Sequence, residues 1–187
     1  MSPAGVPLEE LRFRLRGELY GPGDPGYHEA CALLGAQAGG QPRLVARCSA
    51  PEDVVAALAF ARREGLAVAV RGGGHALPRS CEGALLIDLG GICDVEVDRE
   101  RRLARVGGGA SAAAIERATR THGLTTTLWR EGESCDDLRA AQLVSFEGEI
   151  LRASAEENPA LLRALQAGDA GAGIVTTLEL RLRPLAA

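Results

Sequence analysis

Residues 66–75 read L-A-V-A-V-R-G-G-G-H, so an apolar strand runs straight into an arginine, three glycines and a histidine. Glycine lets a ligand approach the main chain closely, and successive amides of such a loop can wrap a pyrophosphate. Three interpretations of Arg71–His75 stay open. The segment is a cofactor loop whose neutral His75 bonds to an electrophilic carbon, a tight turn, or a loop that presents His75 as an acid or base.

The residues before this loop predict a strand, a helix and a second strand. Residues 43–48 alternate apolar and polar side chains as a strand does. Ser49–Glu52 has the spacing of a capping box, with a proline suited to the first turn of a helix. Apolar residues then recur at helical spacing until Gly65, and residues 66–70 form a buried strand. This order predicts a right-handed crossover between parallel strands.

Further elements follow along the chain. We predict strands at 84–89, 94–98, 103–106 and 174–183, a helix from Ser111 to about His122, a hairpin of 140–145 with 149–153, and a helix at 158–166. The fold class is α/β, with α+β character in its second part. We expect an N-terminal extension without regular structure at 1–26, a first α/β lobe with the glycine-His loop at 27–110, and a second, shortened lobe at 111–187.

Composition excludes several classes of protein. The chain has 187 residues, 46% of them hydrophobic, and a net charge of -4, and its 21 basic residues are all arginines scattered among acids, so we expect no nucleic-acid partner. The five cysteines show no C-x-x-C spacing, which predicts no metal site and reduced thiols. No signal peptide and no apolar run of membrane-spanning length is present, so a cytoplasmic location without membrane attachment is expected.

Other candidate residues have plainer interpretations. His28 and His122 are expected to be surface or capping residues. Ser111 has no partnered histidine and lies in no G-x-S-x-G elbow, so it is expected to cap a helix. The run 107–109 precedes that helix and either binds an anion or forms a strand-to-helix turn. Cys135 lies in a polar stretch and is interpreted as an exposed thiol.

Three stretches together carry a resemblance to a known family: R-L-V-A-R-C-S-A-P-E-D-V-V-A-A-L-A-F-A-R-R-E-G-L-A-V-A-V-R-G-G-G-H at 43–75, A-L-L-I-D-L at 84–89 and V-D-R-E-R-R-L-A-R-V-G-G-G-A at 97–110. In this order they resemble the flavin-binding domain of the berberine-bridge-enzyme-like oxidases, within the vanillyl-alcohol-oxidase type of FAD-linked oxidoreductases. The similarity resumes after residue 135 and runs to Pro184.

The resemblance implies a two-lobed FAD-binding domain with FAD in a groove between the lobes. His75 matches the histidine that bonds the 8α carbon of the flavin. The cofactor-binding residues that the resemblance implies are Arg71, Gly72, Gly73, Gly74, His75, Gly173 and Ile174.

The sequence also departs from the family. Between Leu124 and Cys135 the family has a longer glycine-rich stretch, and near the carboxyl end Asp169 lies where the family has glycines before the last strand. The missing stretch predicts a truncated second lobe. The sequence also ends before the family's substrate domain and its tyrosine base, so no residue is assigned a catalytic role.

Two hypotheses for function follow from the resemblance. The first is the FAD-binding domain of a flavin-dependent oxidoreductase that oxidises a small molecule, one of secondary metabolism. The second is a degenerate member that has lost FAD and acts as a binding or stabilising module, or as a non-redox catalyst that uses the emptied groove. An uncovered apolar surface would lead either one to self-associate or to bind a partner chain.

Overall fold

A computed structural model describes residues 5–32, 39–73, 80–127 and 135–185. Its first half contains α1 (Gly5–Arg14), β1 (Glu18–Tyr20), α2 (Pro25–Ala32), β2 (Leu44–Arg47), α3 (Pro51–Glu64), β3 (Val68–Arg71) and β4 (Leu85–Asp88). Its second half contains β5 (Val95–Asp98), β6 (Leu103–Gly107), α4 (Ala112–Arg120), β7 (Leu124–Thr125), β8 (Leu138–Val144), β9 (Ile150–Ala153), α5 (Pro159–Gln166), β10 (Ile174–Arg181) and β11 (Arg183–Pro184).

The strands of the described residues form two main sheets. The first has the order β1-β2-β4-β3, in which β2 and β3 both pair with β4 in parallel and β1 is an antiparallel edge. The second has the order β5-β6-β10-β8-β9 and is antiparallel throughout. The predicted mixed α/β fold is confirmed, because parallel strands joined through helices lie in one half and hairpins in the other.

The helix α3 connects parallel strands as predicted, but its cap differs from the prediction. Ala50 is the N-cap and contributes no side-chain hydrogen bond, so the capping box of Ser49 and Glu52 is wrong. Instead the buried carboxylate of Asp53 accepts hydrogen bonds from the amides of Ser49 at 2.8 Å, Arg16 at 2.8 Å and Gly17 at 3.1 Å. The carboxylate of Asp53, in the first turn of α3, therefore connects the segment before this helix to residues 16 and 17, which precede β1, and its negative charge suits the N-terminal end of a helix.

The amino-terminal segment was expected to lack regular structure, and this expectation is wrong. It forms α1 and β1, and Leu11, Leu15 and Leu19 are buried in the core of the first half. The local sequence favours no regular structure here, but packing stabilises one, because these leucines contact the apolar face of α3 only in the folded chain.

The hydrophobic core is divided between the sheets but joined at one place. Val144 of β8 and Ile174 of β10 pack with residues of the first sheet and α3. In addition, the Arg62 side chain donates to the carbonyl of Phe146 at 2.6 Å. The second sheet therefore packs against α3.

The sequence analysis placed residues 95–107 with the first lobe. In the structure β5 and β6 belong to the second sheet, where β6 pairs with β10, because their antiparallel partner comes from the far end of the chain. The lobe boundaries at 26 and 110 stay a prediction.

Candidate functional site

The segment singled out in the sequence begins at the end of β3, where Arg71 lies beside Asp88 of β4. Arg71 Nη2 and Asp88 Oδ1 are 2.6 Å apart, and the Asp88 side chain is 1% exposed. Asp88 Oδ1 also accepts a hydrogen bond from the Gly90 amide at 2.8 Å. Register places the two residues opposite each other across the parallel pair β3 and β4, so the ion pair follows from the sheet itself.

Two atoms of this ion pair have no hydrogen-bond partner among the described residues. They are Arg71 Nε and Asp88 Oδ2, and both are buried. A buried donor or acceptor without a partner costs about 1–3 kcal/mol, more when it is charged, so such atoms are rare in folded proteins. Because both belong to one ion pair next to the glycine loop, they indicate a place for a ligand that both accepts and donates hydrogen bonds.

Gly72 and Gly73 have a packing role in the structure. The Gly73 amide donates to the carbonyl of Gly108 at 2.9 Å. A Cβ at Gly73 would lie 1.9 Å from the carbonyl oxygen of Ala110, and one at Gly72 would lie 3.0 Å from that of Gly108. The amide of Gly73 is therefore engaged by the protein, which favours the tight-turn interpretation for this glycine. Gly74 and His75 lie outside the described residues, so the pyrophosphate contacts and the tether stay predictions.

The second glycine run, 107–109, packs against backbone on several sides. A Cβ would lie 2.2 Å from the Ile92 carbonyl oxygen at Gly107, 2.2 Å from that of Val175 at Gly108 and 1.9 Å from that of Leu89 at Gly109.

The amides of residues 107–110 all donate to backbone carbonyls, at 2.8–2.9 Å. No amide of the run is left for an anion, and its glycines form the strand-to-helix turn that the sequence offered as the alternative. We call residues 72–73 and 107–110 the glycine junction.

The last two predicted cofactor residues stand at the start of β10. Gly173 has a φ of 144°, and a Cβ there would lie 2.4 Å from the carbonyl oxygen of Val144. Ile174 is 3% exposed and lies in the core of the first half, so its side chain faces the protein. The Asp169 carboxylate accepts from the Gly171 amide at 2.8 Å and caps a short helical turn. A cofactor role for Gly173 and Ile174 stays a prediction.

The structure also describes Ser111, the two histidines His28 and His122, and Cys135. Ser111 caps α4, with its hydroxyl 3.2 Å from the Ala114 amide, as predicted. His28 and His122 are exposed, and the ring of His28 stands edge-on to Tyr27. The expectation of an exposed Cys135 is wrong. Its side chain is buried beneath the 124–127 segment, and burial raises the pKa of the thiol.

The sequence analysis did not single out Asp137, which is fully buried at the start of β8. Its Oδ1 accepts hydrogen bonds from Arg181 at 3.1 Å and Arg183 at 2.7 Å, and its Oδ2 accepts from the Thr127 amide at 3.0 Å. Burial acts to raise the pKa of this carboxyl, but the hydrogen bonds from Arg183, Thr127 and Arg181 lower it to about 2. The signal available in the sequence was two arginines spaced i, i+2 at the end of the strand predicted for 174–183.

The chemistry of the Arg71 site fits a nucleotide cofactor such as FAD. Arg71 Nε is a donor without an acceptor, and a phosphate oxygen can accept its hydrogen bond. Asp88 Oδ2 is an acceptor without a donor, and a sugar hydroxyl can donate to it. Among the described residues, no group of three His, Cys, Asp or Glu side chains could hold a metal ion. No helix in the same part of the chain is long and apolar enough to span a membrane.

Comparisons with known proteins point to the same chemistry. Residues 42–129 match the family of FAD binding domains. The (R)-6-hydroxynicotine oxidase of Paenarthrobacter nicotinovorans is 25% identical over 195 residues, which cover 91% of this chain and 42% of that protein. The FAD-dependent monooxygenase tpcD of Cochliobolus heterostrophus is 29% identical over 168 residues, which cover 77% of this chain and 32% of that protein.

A solved structure supports the fold. BBE-like 1 of Physcomitrella patens superimposes with a TM-score of 0.83 at 21% identity, covering 96% of this chain and 45% of that chain. The present chain thus spans less than half the length of each of these three proteins. The match to the FAD binding domain covers just under half of the chain, the similar proteins include FAD-linked oxidoreductases, and the fold is that of the berberine-bridge-enzyme-like structure, so the comparisons support FAD as the cofactor.

Proposed function

We propose that the chain holds FAD at the end of β3, as the cofactor-binding part of an oxidoreductase that oxidises a small molecule of secondary metabolism. When bound, FAD supplies an acceptor for a hydride taken from a substrate carbon. The similarity to an oxidase and a monooxygenase supports this class of reaction. The substrate itself would be met by parts of a longer protein, because relatives are more than twice as long as the matched region.

The observation that carries the proposal is the incomplete ion pair of Arg71 and Asp88. Two buried polar atoms lack partners among the described residues: Nε of Arg71, which directly precedes the glycine loop, and Oδ2 of Asp88, its ion-pair partner on β4. In the proposal Arg71 Nε donates to a phosphate oxygen, while Asp88 Oδ2 accepts from a hydroxyl of the cofactor. The glycine junction holds the two sheets in register, so the loop that follows Gly73 leaves from a rigid base.

Four other residues have proposed roles at this site. Gly74 is proposed to bind the pyrophosphate through its amide, because the amide of Gly73 already donates to Gly108. Neutral His75 bonds covalently to the flavin. The backbone of Gly173 and Ile174 approaches the cofactor from β10, since the Ile174 side chain lies in the core.

An absorbance scan of the purified full chain tests the proposal. Bands near 370 and 450 nm, roughly those of a protein-bound flavin, should be present or develop on incubation with FAD. If the bands persist after acid precipitation, the flavin is covalently attached. A folded protein that is colourless after incubation with excess FAD and removal of the unbound cofactor by gel filtration would contradict the proposal and favour the hypothesis of an emptied groove.

Histidine variants test the attachment. His75→Ala should release all yellow colour on denaturation, whereas His122→Ala, which alters an exposed histidine on the surface, should behave as the wild type. Acid-stable colour in His75→Ala would show that another residue carries the flavin.

We also propose that the chain self-associates or binds a partner chain. Large apolar side chains are exposed at Phe13, Phe146, Ile150 and Leu185. Light scattering should then give a mass above 19.5 kDa, and a monomer that is fully active alone would contradict the proposal.

We also propose a cytoplasmic location, because the cysteines do not form disulfides with one another. The cysteines of the described residues are free, as expected where glutathione keeps thiols reduced. Cell fractionation should recover the protein with cytosolic markers, and recovery from the culture medium would contradict it.

A further inference from the structure

Arginines that are scattered in the sequence come together at one end of the second sheet. An open basin of about 810 Å³ lies where β6 and β8 begin and β10 ends. Its charged lining consists of one carboxylate, Asp136, and five guanidinium groups, which belong to Arg101, Arg102, Arg139, Arg181 and Arg183. We call it the arginine basin.

The arginine basin is separate from the proposed flavin site. β10 contacts the glycine junction at Val175 and Thr176 and ends at Arg181 in the basin. A strand rises about 3.3 Å per residue, so the five positions from Thr176 to Arg181 put the two regions roughly 17 Å apart. The lining of the basin includes neither Arg71 nor any residue of the glycine junction.

Two of the arginines are held in place by a buried carboxylate. Arg181 and Arg183 both donate through Nε and Nη2 to the buried Asp137, which leaves their side chains 44% and 50% exposed. Anchored side chains lose less conformational freedom when a ligand binds, so the basin is partly preorganised.

Two other arginines have no ion-pair partner among the described residues. They are Arg102, in the turn before β6, and Arg139, on β8, and both are exposed. Three carboxylates lie near the five arginines: Asp136, Asp137 and Asp98, which is 3.7 Å from Arg101. The basin therefore keeps an excess of two positive charges. This excess occurs in a chain whose net charge is -4, so it is a local feature.

We infer that the arginine basin binds a small polyanion with two or more adjacent phosphate groups. Guanidinium forks donate paired hydrogen bonds to phosphate, and tetrahedral phosphate oxygens accept from donors on several sides at once. The donors here come from three strand ends, which suits such a group better than a planar carboxylate. The volume lies in the range of small-ligand sites, and Leu103, Leu182 and Pro184 add an apolar portion to the lining.

Calorimetric titration of the full chain with inorganic tripolyphosphate tests the inference at low salt. We expect saturable 1:1 binding, weaker binding of citrate at equal charge, and at least tenfold loss of affinity in Arg102→Gln/Arg139→Gln. Arg163→Gln, an exposed arginine on α5 away from the basin, should bind as the wild type does.

Three results would overturn the inference: no binding at millimolar tripolyphosphate, equal affinity in the double variant, or tighter binding of a DNA duplex than of tripolyphosphate. The outcome is independent of the flavin proposal. FAD absorbance should be unchanged in Arg102→Gln/Arg139→Gln, and tripolyphosphate should bind equally well to His75→Ala. Tripolyphosphate should also bind equally well to Arg71→Gln, and a loss of binding in that variant would place the anion at the proposed flavin site instead.

Discussion

Each of the two main sheets has a buried aspartate paired with arginine, and the two aspartates differ in how completely their hydrogen bonds are satisfied. Asp137 accepts hydrogen bonds at both oxygens, from two arginines and an amide. Asp88 uses one oxygen, for Arg71 and Gly90, and its other oxygen has no partner among the described residues. A satisfied carboxylate holds strands together, whereas an unsatisfied one can still take up a ligand.

The surroundings differ in the same way. At the glycine junction no side chain separates the strands, and carbonyl oxygens occupy the space where Cβ atoms would lie. At the arginine basin long charged side chains surround an open volume. Bringing two sheets into backbone contact requires glycine, while gathering charge around an anion requires long flexible side chains.

The largest effect is expected from adding one methyl group at the junction. Gly73→Ala would place Cβ 1.9 Å from the carbonyl oxygen of Ala110, which cannot move without shifting α4. We expect a loss of roughly 3 kcal/mol or more in the free energy of unfolding, measured by urea denaturation. Gly23→Ala is the control, because nothing lies within 4 Å of its Cβ. Equal stability of the two variants would disprove the close packing of the junction.

A smaller loss is expected when the satisfied aspartate is neutralised. Asp137→Asn removes the charge that holds Arg181 and Arg183, and the expected cost is about 2 kcal/mol, since both arginines stay half-exposed to water. Urea denaturation measures it, with the exposed Asp98→Asn as control. A stability within 0.5 kcal/mol of the wild type, on the order of an ordinary surface change, would refute the locking role.

The same carboxyl predicts a dependence on acid. The pKa of Asp137 is lowered in the folded protein from 3.8 to about 2, so its contribution is present above pH 4 and is lost as the pH falls toward 2. The difference in melting temperature between wild type and Asp137→Asn should therefore shrink between about pH 4 and pH 2. A difference that stays constant over this range would contradict the assignment.

The smallest effect on stability, but a large one on cofactor binding, is expected at the unsatisfied pair. Arg71→Gln leaves Asp88 with the Gly90 amide and should cost about 1–2 kcal/mol without FAD. FAD affinity, followed by flavin fluorescence, should fall tenfold or more, whereas Arg47→Gln at the end of β2 should leave it unchanged. Because Arg47 also lies opposite Asp88 in the register of β2 with β4, Arg163→Gln on α5 serves as a second control and should bind FAD as the wild type does. If Arg71→Gln binds FAD as tightly as the wild type, the arginine does not contact the cofactor.

Much of the fold could be predicted from local patterns. The helix α3 and the hairpins β5–β6 and β8–β9 match their predictions within a few residues, because apolar spacing and glycine or proline breakers determine them locally. The prediction failed at 1–26, where Leu11, Leu15 and Leu19 gain their stability only from α3.

The candidate site could be predicted only in part. The residue order around Arg71 indicated FAD, and the similarity of the chain to FAD-linked proteins confirmed it. The partner Asp88 was not singled out, since it lies seventeen positions after Arg71 in the chain and only the parallel register of β3 with β4 brings the two together. The same reasoning applies to the arginines, which look scattered along the sequence and meet at one end of the second sheet.

By itself the sequence determined the order of strands and helices and the glycine pattern that indicates a flavin domain, because these depend on neighbouring residues. Only the tertiary structure decided which glycine amides are engaged, which aspartate lacks a partner and where positive charge collects. Those properties depend on distances between residues far apart in the chain, and the pairing of strands sets these distances.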